Sequence, residues 1–198
     1  MRNKNFRNLK RRKNFRPIRK NFLIVCEGEK TEPNYFSNFR VPKSIIDVVG
    51  IGANTESLVR KAVELKNKPG ISYDYVWCVF DRDSFPAANF NNAFTLAQKN
   101  NIEIAYSNEA FEIWYLLHFY YHDAATSRTQ YKRMLTDRLG FPYKKNDPEM
   151  YEHLLSLQED AITNSLNLMN SYDNHSPVSD NPSTTVHLLV QALNKYSV

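Results

Sequence analysis

Glu27 follows the apolar run Phe22–Cys26, and Asp81 and Asp83 follow the apolar run Tyr75–Phe80. An acid directly after a buried strand stands where parallel α/β sheets bind their ligands, outside the carboxyl ends of the strands. Parallel strands share a direction, so Glu27 and the segment Asp81-Arg82-Asp83 belong on one edge of a sheet. Carboxylates gathered there repel one another unless a hard divalent cation sits among them. Magnesium suits this role, with manganese as an alternative: it prefers oxygen ligands, takes one or two carboxylates and keeps exchangeable waters. A cation held in this way can activate water and neutralise charge on a phosphodiester. The i,i+2 spacing lets Asp81 and Asp83 face the same way while Arg82 points elsewhere. Each acid alone has a plainer reading, because Asp at a strand end is often a helix cap or a turn former. The combination of an acid after one strand and a D-x-D after another is what points to a site.

Other residues are weaker candidates. Glu109 and Glu112 are three apart, which predicts one shared helix face. Glu112 lies in the run "EAFEIWYLLHFYY", residues 109–121, where an acid is costly unless paired. It is expected to ligate the metal or orient a ligand. Glu109 is accounted for by the helix dipole, which favours acids in a first turn. His118 and His122 are four apart, but no further ligands complete a zinc set, so they read as core or surface histidines. Lys30 could meet phosphate at a helix start, or be an ordinary solvated lysine. Gly28 suits a tight strand-to-helix turn. Glu29 reads as a turn residue and Glu32 as a helix-start acid.

The elements that would position these residues alternate. Strands are expected at Phe22–Cys26, Ser44–Val49, Tyr75–Phe80 and Ile102–Tyr106. Helices are expected at Thr31–Phe39, Thr55–Lys66 and Ala87–Lys99. Thr55 is a candidate N-cap, and Pro69-Gly70 breaks the chain after the second helix. Such alternation predicts an α/β fold with a parallel sheet of about four strands covered on both sides. The near-continuous apolar run of residues 109–121 predicts a buried helix. Helical stretches follow near Ser127–Leu139, Glu149–Met169 and Pro182–Tyr196. The last has Asn181 as N-cap and Pro182 at the first helical position. The expected organisation is a basic arm over residues 1–20, an α/β domain over 21–122 and a helical extension over 123–198.

Residues 1–20 carry ten Lys or Arg and no acid, whereas the rest of the chain carries more acids than bases. The net charge of +5 therefore comes from the arm. So dense a charge resists packing and suits nucleic-acid phosphates through counterion release. Lys10, Arg11, Arg12, Lys13, Arg16, Arg19 and Lys20 are the expected contacts, with Lys30 beside the site. A solubilising tail, a dock for an acidic partner or a transit peptide are the plainer readings. Cys26 and Cys78 sit in apolar runs and read as reduced core residues. No stretch is long and apolar enough to span a bilayer, and the first residues lack the apolar region of a secretory signal. A cytoplasmic protein is expected.

"LIVCEGEKTE" followed by "VWCVFDRD" resembles the Toprim domain of topoisomerases, bacterial primases and overcoming-lysogenisation-defect nucleases. That resemblance implies Glu27 as general acid/base and Asp81 and Asp83 as magnesium ligands. "IVCEGEKTEPNYF", "VFDRD" and "SNEAFEIWYLLHF" behind a basic arm are similar to the RloB family, over residues 1 to about 122. The family is encoded beside an ATPase in restriction and abortive-infection loci. The resemblance implies a metal-dependent nuclease of DNA or RNA in anti-phage defence, with an ATPase partner. Ser84 and Phe85 follow Asp83 where topoisomerases often carry a third Asp, which speaks against strand passage. Two rivals stay open. One is a non-catalytic nucleic-acid-binding or regulatory subunit. The other is a haloacid-dehalogenase-like phosphatase, disfavoured because its D-x-D normally follows the first strand.

Overall fold

A computed structural model describes residues 20–40, 46–52, 55–82 and 87–197. Arm residues Lys10, Arg11, Arg12, Lys13, Arg16 and Arg19, and the site candidate Asp83, lie outside the described residues. The elements in chain order are β1 (Phe22–Cys26), α1 (Thr31–Phe36), β2 (Ile46–Gly50), α2 (Thr55–Lys66), β3 (Tyr75–Asp81), α3 (Ala87–Lys99) and β4 (Glu103–Asn108). Then come α4 (Glu112–Leu117), α5 (Arg128–Leu139), α6 (Met150–Leu154), a 3₁₀ turn (Leu155–Leu157), α7 (Gln158–Asn170), β5 (Ser183–Thr184) and α8 (Val186–Asn194).

The fold is α/β, with one five-stranded sheet in the order β2-β1-β3-β4-β5. The first four strands run parallel, as the alternation predicts. The fifth was not expected. Ser183 and Thr184 pair antiparallel with Asn108 and Ser107, an addition common at the edge of parallel sheets. This pairing corrects the expected helix start at Pro182. The Asn181-Pro182 signal is spent on a loop, and α8 begins only at Val186, whose N–H donates to Thr184 Oγ1 at 3.3 Å. The chain passes from β1 out to β2 and returns to the other side of β1 as β3. The β1/β3 boundary is therefore the topological switch point, where open α/β sheets leave a crevice.

Strict alternation sorts the strands between two cores. Leu23 and Val25 of β1, and Val76, Cys78 and Phe80 of β3, pack with Leu58, Val59 and Ala62 of α2 and Phe90, Ala93 and Ala97 of α3. Phe22, Ile24 and Cys26, with Trp77 and Val79, join α1, α4, α5, α6, α7 and α8 in a larger core. The same period of two continues past Val79, so Asp81 belongs to the larger layer. Both cysteines are free and buried, and burial pushes the Cys78 thiol up to about 12, so each is inert.

Several expected helices are shorter. α1 ends at Phe36 instead of Phe39, and the expected helix over residues 109–121 is only Glu112–Leu117. The stretch from Glu149 is broken by the 3₁₀ turn into α6 and α7. α5 is capped at both ends. Gln130 Oε1 accepts from the Ser127 N–H at 2.9 Å, and Gly140 closes the helix at φ 77°, as a C-terminal glycine does. Among the described residues no helix is long and apolar enough to cross a membrane.

Candidate metal centre

The turn after β1 sets the site. The Glu27 N–H donates to Val79 O at 2.8 Å, which carries the β1–β3 ladder one residue beyond the strand. Glu27 Oε2 accepts from the Asp81 N–H at 3.1 Å. The carboxylate that ends β1 is thus fastened to the backbone of the acid that ends β3. Gly28 follows, and a Cβ there would lie 2.1 Å from Glu32 Oε2. Any larger residue there would displace the Glu32 carboxylate from its place against the turn.

Glu32 is the residue that the sequence reading missed. It stands in the first turn of α1, where a helix-start acid is ordinarily solvated, yet it is 5% exposed. Its Oε2 is buried with no hydrogen-bond partner among the described residues. A signal was available. Glu32 precedes the core residues Tyr35 and Phe36 by three and four positions, which places it on the apolar face of α1.

Glu112 is 7% exposed at the start of α4. Its Oε1 accepts from the Tyr143 hydroxyl at 3.1 Å, and burial together with Glu112 holds that phenol well above its ordinary pKa. Asp81 receives Arg128 of α5, Nη2 to Oδ2, at 3.4 Å. Burial pushes the Asp81 carboxyl well above the carboxylate range, Glu32, Glu112 and Glu27 push further, and Arg128 opposes them. Burial likewise raises Glu32, with its own backbone hydrogen bond and Lys145 opposing and Glu112 adding. Four acids from β1, α1, β3 and α4 therefore share one electrostatic environment. Residues beyond 122 supply its counter-charges.

The acids are grouped without being closed into a cage. Among the described residues, no three of them bring ligand oxygens within 4.8 Å of one another; the group that does is Asp147, Glu149 and His153 at the surface. The set nonetheless fits a hard cation. All its donors are carboxylate oxygens, which suit magnesium or manganese over zinc. Glu32 Oε2 has no hydrogen-bond partner among the described residues, and a divalent ion would relieve the repulsion that raises Asp81 and Glu32.

The remaining candidates fall elsewhere. Glu109 does not share a helix face with Glu112, because α4 begins only at Glu112. The chain needs residues 109–111 to turn away from β4, and Glu109 lines a cleft with Arg82 and Arg128. His118 is a core residue, Nδ1 against Trp114 O at 2.9 Å, and burial pushes it down to about 4. His122 Nε2 pairs with Thr126 Oγ1 at 2.7 Å. Lys30 is exposed just before α1. Lys20 pairs with Asp74 at 2.8 Å. It precedes β1, so the arm joins the sheet at the edge opposite Glu27.

No curated protein and no solved structure matches the chain. A sequence model of the RloB-like proteins does, over residues 22–193. The match takes in the Glu27 turn, Asp81, Glu112 and also the later segment that brings Arg128, Tyr143 and Lys145 to them. The chain belongs to the RloB-like protein family.

Proposed function

We propose that the protein is a magnesium- or manganese-dependent nuclease that cleaves phosphodiesters of DNA or RNA. The observation that carries this reading is the buried pair Glu32 and Glu112 with the part-buried Asp81, beside Glu27 at the β1/β3 switch point, with Glu32 Oε2 having no hydrogen-bond partner among the described residues. Those residues, with Asp83, would hold the metal. Bound there, it would polarise a phosphodiester oxygen and make a water more acidic. The chain does the rest. Glu27 is half-buried and held on the Asp81 N–H, so it is the group to move a proton. Tyr143 keeps Glu112 aimed by donating to Oε1, and Arg128 offsets charge at Asp81. Lys30 and the basic arm would hold backbone phosphates without reading sequence. The proposal extends to the biology that the family resemblance implies: anti-phage defence in the cytoplasm, with an ATPase encoded at the same locus.

A second reading has its own support. Arg128 already partners Asp81, and no three described carboxylates converge. A subunit that binds nucleic acid without turnover fits those two facts. The test separates them. Purified protein is incubated with plasmid, single-stranded DNA and tRNA, with magnesium or manganese, with and without the ATPase. Metal-dependent cleavage that disappears in Glu27→Gln and Asp81→Asn supports the nuclease. Absence of cleavage in every condition leaves the binding subunit.

A further inference from the structure

Asp147, Glu149 and His153 each bring one ligand atom to within 4.8 Å of the others. All three come from one short stretch of chain. α5 closes at Gly140, and the loop after it carries Asp147. Glu149 stands directly before α6 and His153 lies within it. The His153 N–H donates to Glu149 O at 3.1 Å, and this i,i+4 spacing puts both side chains on one face. The framework beneath them is fixed. Met150, Tyr151 and Leu154 anchor α6 in the larger core. Thr31 Oγ1 donates to Asn146 Oδ1 at 2.9 Å and Asn34 Nδ2 donates to Asn146 O at 3.1 Å, so the loop is also fastened to α1. The His153 ring packs on Phe141, with the ring centroids 4.9 Å apart. A framework ordered in advance lowers the entropy cost of binding.

The imidazole separates this group from an ordinary acidic patch. Two carboxylates and a histidine are donors that zinc accepts in open sites, where three protein ligands leave a fourth position for water. Magnesium favours oxygen, whereas imidazole suits zinc and its neighbours. The set therefore selects a transition ion, unlike the all-oxygen set at the sheet edge. Zinc sits about 2.0–2.2 Å from such ligands, so the donors must draw in, and the exposed side chains of Glu149 and His153 can do so by small rotations. Among the described residues neither carboxylate forms an ion pair and no hydrogen bond holds the imidazole. Two negative charges thus lie close together without a cation. We propose that Asp147, Glu149 and His153 form a second metal site, for a zinc-class divalent ion. The site does not depend on the nuclease reading. An ion there would tie the loop to α6, and the same loop carries Tyr143 and Lys145, which act on Glu112 and Glu32.

Zinc binding tests the site without any nucleic acid. The untagged full chain, stripped of metal, is titrated with zinc chloride by calorimetry, and the histidine ring resonances are followed by NMR. Zinc is expected to shift the ring signals of His153 and to leave those of the buried His118 and His187 in place. His153→Ala and Glu149→Gln each remove a ligand from an exposed position, so both should keep the wild-type melting temperature. Each is expected to weaken zinc binding by at least about tenfold, since even outer-shell changes cost ten- to hundredfold. Asp81→Asn, at the sheet edge, should leave the His153 shift and its zinc dependence unchanged. Equal zinc affinity in wild type, His153→Ala and Glu149→Gln overturns the site, as does zinc binding that Asp81→Asn abolishes while His153→Ala does not. Zinc binding that depends on His153 supports the site even in a protein that cleaves nothing, so its failure and that of the nuclease reading are separate results.

Discussion

Across β1, Leu23 and Val25 point into the layer made by α2 and α3, while Phe22, Ile24 and Cys26 point into the layer that holds α1 and α4 to α8. The strands serve both layers equally, but the layers bury different things. Among the buried polar or charged residues described, Thr55 alone belongs to α2 or α3. Thr31, Glu32, Glu112, Gln158, Ser165 and His187 lie in helices of the other layer, and His118 directly follows α4 there. One face is an ordinary apolar core; the other combines packing with a group of acids that repel each other. The contrast teaches where the later helices matter. The buried members of the α2/α3 layer all lie within residues 23–106, whereas in the opposite layer Arg128, Tyr143 and Lys145 act on the acids. Functional sites commonly sacrifice local stability in this way.

The comparison is broken most forcefully from the apolar side. Leu58 on α2 is fully buried, and Leu58→Ala should cost roughly 2–5 kcal/mol of stability. Chemical denaturation measures that cost. Cleavage per folded molecule, as proposed, should be unchanged, because the described acids Glu32, Asp81 and Glu112 belong to the opposite layer. A loss of turnover in the folded fraction would show that the two faces are not separable.

Acid pH probes the other face. Burial pushes His118 and His187 each down to about 4. A histidine depressed in the folded state contributes stability that is fully present above the unfolded value near 6.5. That stability is lost as pH falls from there toward 4, by up to about 3 kcal/mol per residue. Both histidines lie in the larger layer, His187 within α8 and His118 at the end of α4. Hydrogen exchange at pH 5 should therefore show α4, α7 and α8 losing protection before α2 and α3. Loss in the reverse order contradicts the assignment.

Glu32→Gln sharpens the contrast at the site itself. The change removes a buried carboxyl whose Oε2 has no hydrogen-bond partner among the described residues, and it relieves Asp81. In chelator the variant should be more stable, and each 1 kcal/mol gained raises the melting temperature by roughly 2–4 °C in a chain of this size. With metal present, cleavage should fall on the order of a hundredfold. A variant that is both less stable and fully active would remove Glu32 from the site.

How much of this was legible in the chain depended on the range of the contacts. Glu27 and Asp81 each end an apolar run, so strand order alone brings them to one edge. The family resemblance was carried by motifs within the first 122 residues, and the family match over residues 22–193 agrees with it. Glu32 was hidden because a first-turn acid before Pro33 has a sufficient local explanation; only its spacing to Tyr35 and Phe36 hinted otherwise. Arg128 and Tyr143 lie 47 and 31 residues from Asp81 and Glu112, and no local pattern marks either. The start of α8 failed for the same reason. Asn181-Pro182 is a sound helix signal, but the pairing of Ser183 and Thr184 with β4 is a contact that local propensity does not contain.

The smallest effect is the most specific one. Tyr143 is 3% exposed and its hydroxyl donates to Glu112 Oε1. Tyr143→Phe keeps the ring against Tyr115 and deletes only the donor. If Glu112 holds a metal, an outer-shell loss of this kind should weaken metal affinity by about tenfold, the low end for such changes. The readout is the magnesium concentration at half-maximal cleavage, which should rise while the rate at saturating metal stays close to wild type. A merely structural role for Tyr143 would instead lower the melting temperature and leave the metal dependence where it was. The same substitution thus asks whether the C-terminal half only covers the sheet or also aims its acids.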